Sequence, residues 1–81
     1  MKELTVVQSY LDSNEYEYVK KISVDYNEEL DTIDINIFWD KLDAKNVFKF
    51  KRVRQESIIQ IGKELNSYFK GYKFMLYNHY I

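Results

Sequence analysis

Helical spacing marks both flanks of the chain, and a two-residue alternation of hydrophobic and polar positions marks its centre. Residues 3–12 place apolar side chains three and four positions apart, which predicts a short amphipathic helix. Residues 16–26 and 32–40 alternate instead, which predicts two strands. The apolar face of the second strand would consist of Ile33, Ile35, Ile37 and Trp39.

The second half of the chain predicts one more strand, a helix and a last strand. After a connection at residues 41–44, the alternation continues to residue 53, which predicts a third strand. Residues 55–70 return to helical spacing, and Gly71 is well placed to end that helix in the left-handed conformation. Residues 72–81 alternate again and predict a fourth strand.

This order of elements, α-β-β-β-α-β, predicts an α+β fold in one domain, residues 1–81. The economical arrangement is an antiparallel meander of the first three strands, with the fourth strand joined to an edge through a right-handed crossover. We expect both helices to pack on one face of the sheet. The opposite, outer face would then meet water and be free to serve a partner.

Strand pairing predicts an apolar row on that outer face. In the expected first hairpin Ile22 lies opposite Ile35, and Val19 lies opposite Phe38; in the second, Phe38 lies opposite Val47. Such a row is typical of an association site, unless a terminus, the first helix or the fourth strand covers it. The predicted protein-binding residues are Val19, Lys21, Phe38, Val47, Lys49 and Tyr77.

Acidic and basic residues are distributed unequally along the chain. The net charge is −1, yet residues 1–44 hold 4 basic and 11 acidic side chains, and residues 45–81 hold 8 basic and 2 acidic ones. The two halves either neutralise each other within the fold or orient an oppositely charged partner.

A basic segment at residues 45–54 favours a second kind of partner. Its cations alternate with Phe48 and Phe50, and cations interleaved with aromatic rings are typical of proteins that bind single-stranded nucleic acid. The sequence pI of 5.8 is low for such a protein. The predicted nucleic-acid-binding residues are Lys45, Lys49, Lys51, Arg52 and Arg54.

Residues that carry catalysis or hold metals are sparse. The chain has no cysteine and one histidine, His79, which lies in the predicted last strand. The acidic run at residues 25–31 lacks the glycine and the alternating ligands of a calcium loop, and the sequence has no glycine-rich phosphate loop. We therefore expect neither an enzyme nor a metal or cofactor.

The distribution of charged residues also bears on location. They interrupt every apolar run before it reaches the length of a signal peptide or a transmembrane helix. The lack of cysteine suits a reducing compartment. We therefore expect a cytoplasmic protein with no membrane partner.

Together these features predict a small non-enzymatic protein-binding module, either monomeric or homodimeric. It would be an accessory protein of a phage or mobile element that inhibits a host or defence protein, as anti-CRISPR proteins do, or an immunity protein. Two alternatives remain open, namely a nucleic-acid-binding module that uses residues 45–54 and a structural homodimer.

Overall fold

The described part of the chain contains two helices and three strands, one strand fewer than predicted. The computed structural model describes residues 2–40 and 45–81. Its elements are α1 (Lys2–Asp12), β1 (Val19–Asn27), β2 (Thr32–Trp39), α2 (Val47–Tyr68) and β3 (Phe74–Tyr80). The predicted α+β class is therefore confirmed, whereas the predicted order of elements is wrong between β2 and β3.

Helix α2 replaces the predicted third strand, and Asn46 caps its first turn. The backbone of Asn46 is extended, and its Oδ1 accepts a hydrogen bond from the backbone N–H of Lys49 at 3.0 Å. The chain has no proline, and the first glycine after this cap is Gly62. The helix therefore runs through residues 47–53 without a residue that would break it.

The side chains of α2 show why a period of two was the wrong interpretation of this segment. Phe50, Ile61 and Leu65 are buried and lie on one stripe, since they are separated by nearly whole turns. Phe48, only two residues from Phe50, is 85% exposed. The two phenylalanines expected on one side of a strand therefore lie on different sides of a helix.

The sheet is mixed, with the strand order β1-β2-β3. β1 and β2 are antiparallel, but β2 and β3 run parallel, from the pair Ile33 and Phe74 to the pair Trp39 and Tyr80. α2 supplies the crossover that a parallel pair requires. The predicted three-stranded antiparallel meander, including its second hairpin, is therefore wrong. β3 occupies the edge of β2 that the third strand would have taken.

The β1–β2 hairpin closes through a four-residue loop after Asn27. The Oδ1 of Asn27 accepts a hydrogen bond from the backbone N–H of Leu30 at 3.1 Å, which stabilises this loop. Ile22 consequently lies opposite Ile37 and not opposite Ile35, so the predicted register is wrong by two residues. A shift of two leaves each of these side chains on the expected face of the sheet.

Buried side chains from both helices and from one face of the sheet form one hydrophobic core. Trp39 is fully buried, and its ring lies edge-on to Phe50 with 6.0 Å between centroids. Its Nε1 donates a hydrogen bond to Oδ1 of Asn78 at 2.8 Å, which satisfies the polar atom of the indole. The core consists of Val7, Leu11, Ile22, Ile33, Ile35, Ile37, Trp39, Phe50, Ile61 and Leu65.

Gln8 of α1 closes the outer edge of β1. Its Nε2 donates to the carbonyl of Ile22 at 2.7 Å, and its Oε1 accepts from the N–H of Val24 at 3.0 Å. β1 is an edge strand of the sheet, and an open edge is a template for pairing with another chain. A single amide side chain therefore occupies two backbone groups that a further strand would need.

A hydrogen bond between side chains joins the two helices. The Oη of Tyr10 donates to Oε2 of Glu64 at 2.5 Å. This bond is the main reason why the pKa of Tyr10 is raised above its ordinary value of 10.0. The same bond lowers the pKa of Glu64 below its ordinary value of 4.5.

Replacing Tyr10 by phenylalanine should lower the free energy of unfolding by about 1 kcal/mol near neutral pH. Because the pKa of Tyr10 is raised in the folded protein, the stability that the bond contributes is complete below pH 10.0. It is lost as the pH rises through the folded pKa. The lowered carboxyl pKa stabilises the fold above pH 4.5, and this contribution is lost as the pH falls through the folded pKa. The free energies of unfolding of wild type and Tyr10→Phe, measured with urea across the pH range, should therefore differ most between these limits. A difference that does not change with pH would contradict the role of the bond.

The two glycines should respond oppositely to alanine. A Cβ at Gly62, inside α2, would meet no heavy atom within 4 Å, so Gly62→Ala should stabilise the protein by about 0.5–1 kcal/mol. Gly71 has the positive φ that was predicted, +92°, although α2 already ends at Tyr68 with Phe69 as its C-cap. Gly71→Ala should destabilise the protein by about 1 kcal/mol. Urea unfolding measures both effects. A loss of stability in the Gly62 variant would show that α2 does not continue through that position as described.

Candidate functional site

The predicted apolar row across the outer face of the sheet does not form. Val47 lies on α2, away from the sheet strands. Val19 packs against the core, because a bulge between Val19 and Lys21 shifts the alternation of β1. Phe38 lies opposite Lys21, because the register of the β1–β2 hairpin differs from the predicted one by two residues. Three of the six predicted protein-binding residues still share the outer face: Lys21, Phe38 and Tyr77.

Polar contacts dominate the outer face that does exist. The Nζ of Lys21 lies 4.7 Å from the centroid of the Phe38 ring, which also stacks on His79 with 4.7 Å between centroids. Nε2 of His79 lies 2.9 Å from Oδ1 of Asn36, whose Nδ2 donates to Oδ2 of Asp25 at 3.3 Å. These contacts cross all three strands and flank Phe38 from both neighbours. A polar network therefore surrounds Phe38 on the outer face.

The most exposed apolar surface is on α2. Phe48 is the most exposed large hydrophobic residue in the described part of the chain, at 85%, and its neighbour Val47 is 59% exposed. Lys51 and Arg52 lie three and four residues further along the helix, so they flank Phe48 on its surface. An exposed aromatic ring bordered by cations is a candidate contact for a partner.

A groove runs between α2 and β3, and we call it the α2–β3 groove. It consists of two adjoining cavities, of about 440 and 300 Å³, which share Arg54 and Tyr80. The other residues of the first cavity are Val47, Phe50 and Lys51. The other residues of the second cavity are Gln55, Ile58, Ile59 and Asn78.

Arg54 holds the centre of the groove. Its guanidinium carbon lies 5.8 Å from the centroid of the Phe50 ring and 5.6 Å from that of the Tyr80 ring. Its Nη1 donates to the hydroxyl of Tyr80 at 2.7 Å. The rings of Phe50 and Tyr80 are themselves in edge contact. These contacts fix a cation between the two cavities while Tyr80 remains 47% exposed.

The charge around the groove is positive. The charged side chains that line it are Lys51 and Arg54. The sequence from residue 65 to residue 81, which includes β3, contains Lys70 and Lys73 and neither Asp nor Glu. This side of the molecule therefore favours acidic groups in a partner.

The five predicted nucleic-acid-binding residues have different environments. Lys49 pairs with Glu17 at 3.2 Å, and the hydrogen bond to that carboxylate raises the pKa of Lys49. Arg54 is held over two rings in the groove. Phe50 is buried, so of the two aromatic residues in the segment only Phe48 is exposed. The remaining cations are exposed: Lys45, Lys51 and Arg52.

Phe48, Ile59 and Tyr80 were not predicted as surface contacts from the sequence. For Phe48 a signal was present, since an N-cap asparagine at position 46 predicts a helix from residue 47 and separates Phe48 from Phe50. For Ile59 and Tyr80 no local signal exists. The groove forms only because β3 pairs with the edge of β2, and that pairing joins residues about forty positions apart in the chain.

Neither metal-binding geometry nor similarity to known proteins assigns a function. Within residues 2–40 and 45–81, no group of three or more His, Asp or Glu side chains is arranged to hold a metal ion. No helix in the same ranges is both long and apolar enough to span a membrane. No protein family matches the sequence, and neither does any curated protein or solved structure.

The two phenylalanines of α2 should differ sharply in their contribution to stability. Phe48→Ser should change the free energy of unfolding by less than about 0.5 kcal/mol, because the ring is exposed and serine has a similar helix propensity. Phe50→Ala should cost about 3–5 kcal/mol, because the ring is buried against Trp39. Urea unfolding monitored by circular dichroism measures both. Similar losses in the two variants would mean that Phe48 is part of the core.

Proposed function

We propose that this chain is a non-enzymatic protein-binding module that contacts its partner through Phe48, Val47 and the α2–β3 groove. The observation that carries the proposal is the exposure of Phe48, at 85%, beside a groove that is partly apolar. Aromatic and arginine side chains are the residues that most often anchor protein interfaces. Here Arg54 and Tyr80 lie in the groove, and Phe48 follows Val47, which lines it.

Burial of Phe48 by a partner would contribute substantially to binding. Transfer of a phenylalanine side chain from water to an apolar environment is worth about 1.5–3 kcal/mol. The chain does not need this ring for its own core, which already contains Phe50. Exposure of Phe48 is therefore a cost for the free protein that a bound partner would remove.

The charge around the groove supports a partner with an acidic surface. Lys51 and Arg52 border Phe48, and Lys51 and Arg54 line the groove. Opposite charges across an interface increase the rate of association and select the orientation of docking. An acidic patch that surrounds an apolar pocket is the complement that these residues favour.

A narrower proposal concerns the biological role. A cytoplasmic inhibitor of a host or defence protein, carried by a phage or mobile element in the way that anti-CRISPR proteins are, would act by occupying a partner's surface. An immunity protein would act in the same way. The small size of the domain, its lack of cysteine and the positive charge of its second half support such a role.

Nucleic-acid binding is the second candidate, and one observation favours it. Phe48 is exposed between Lys51 and Arg52, and a ring between cations can stack on a base while the cations contact phosphates. The pI of 5.8 and the engagement of Lys49 by Glu17 favour the protein partner instead.

Removal of the Phe48 ring should weaken binding without unfolding the protein. We expect Phe48→Ser to reduce affinity for the partner about 10- to 100-fold, which corresponds to the burial of one phenylalanine. Affinity capture from extracts of the source organism, followed by calorimetry with the purified partner, measures this. The matched control is Tyr77→Thr, which removes an aromatic ring from the outer face of the sheet.

The outcomes of this experiment separate the candidate surfaces. Loss of binding in the Tyr77 variant but not in the Phe48 variant would reject the proposal and indicate the outer face. Fluorescence anisotropy with labelled single- and double-stranded DNA and RNA at low salt tests the second candidate. Binding tighter than about 100 μM that weakens with salt and with Phe48→Ser would support nucleic acid as the ligand.

A further inference from the structure

β3 is an edge strand, and its pairing with β2 shows which of its backbone groups point outward. The carbonyl of Lys73 accepts from the N–H of Ile33 at 2.8 Å, and the N–H of Ile81 donates to the carbonyl of Trp39 at 3.2 Å. Residues that bond to the neighbouring strand alternate along a parallel ladder, so odd-numbered residues of β3 bond to β2. The outward groups belong to Phe74, Leu76, Asn78 and Tyr80.

The two edges of the sheet differ in whether their outward backbone groups form hydrogen bonds. On β1 the side chain of Gln8 bonds to Ile22 and Val24. On β3, no group within residues 2–40 and 45–81 forms a hydrogen bond to the outward N–H and C=O groups. An unoccupied edge of this kind is the site at which an extended segment adds to a sheet.

The α2–β3 groove lies beside this open edge. The side chains of Asn78 and Tyr80, whose backbone groups point outward, also line the groove. In a strand added next to β3, every second side chain would point toward α2, and these side chains would be about 7 Å apart. The cavities on the two sides of Arg54 would each accept one of them.

The positive charge around the α2–β3 groove determines what kind of segment can add to the edge of β3. A second copy of the chain that paired through β3 would present the same groove, lined by Lys51 and Arg54, and the same segment 65–81, which contains no Asp or Glu. Like charges across an interface oppose association. An acidic segment with apolar residues at alternate positions meets the same groove with opposite charge.

We infer that an extended segment of the partner, with alternating acidic and apolar residues, adds to β3 as a fourth strand and places its apolar side chains in the α2–β3 groove. This inference rests on the proposed protein-binding function and specifies the form of the partner. Main-chain hydrogen bonds to β3 would supply affinity, and the groove would supply selectivity.

Amide hydrogen exchange measured by NMR on the full chain tests the inference. The probes are two eight-residue peptides, one that alternates valine with glutamate and one that alternates valine with lysine. We expect the glutamate peptide to slow exchange at the amides of Leu76, Asn78 and Tyr80 at least tenfold. The amides of Met75 and Tyr77, which already bond to β2, should change little. The lysine peptide should leave all of these rates unchanged.

A charge reversal provides the control for selectivity. Lys51 lines the groove and is exposed, so Lys51→Glu should leave the fold intact. It should weaken binding of the glutamate peptide by about threefold and allow measurable binding of the lysine peptide. Equal binding of both peptides to wild type and variant would show that charge does not select the segment.

Three results would overturn the inference. The first is chemical-shift changes around Phe48 with no protection of Leu76, Asn78 and Tyr80, which would leave the proposed function standing and reject strand addition. The second is no effect of the glutamate peptide at millimolar concentration; the Phe48 experiment then still decides the function. The third is a dimer by light scattering with these amides already protected, which would assign the edge to a second copy.

Discussion

The helical conformation of residues 47–53 determines both the topology of the sheet and the position of Phe48. These residues belong to α2, which starts after the Asn46 cap, so they do not pair with β2, and β3 takes that edge in the parallel direction. Successive residues of a helix turn by about 100°, so the same start directs Phe50 into the core and Phe48 into solvent. The position of β3 in the sheet and the exposure of Phe48 therefore both follow from the start of α2.

Elements that depend on local pattern were predictable, and those that depend on distant pairing were not. The first helix and the alternation of β2 follow from neighbouring residues, and both are present. Residues 47–53 are too few to distinguish a period of two from a helical period, and the residue that marks the helix start, Asn46, lies outside them. The edge that β3 occupies, and hence the groove, depends on contacts between residues far apart in the chain.

The outer face of the sheet illustrates a second limit of sequence patterns. Lys21, Phe38 and Tyr77 lie on the predicted face, yet the two-residue shift in register places Lys21 opposite Phe38, where Val19 was expected. A ring that appeared to be part of an apolar row is instead flanked by Lys21 and His79. A two-residue change in register thus changes the neighbours of a side chain without moving it to the other face of the sheet.

The contacts of Gln8 have a consequence for self-assembly. A sheet grows into a long polymer only if each added unit offers a new edge, and that requires two open edges in every molecule. On the β1 edge, Gln8 already bonds to the carbonyl of Ile22 and the N–H of Val24, so a strand that paired there would have to displace this side chain. The two edges of the sheet are therefore unequal, which favours a single added strand at β3 over growth into a polymer.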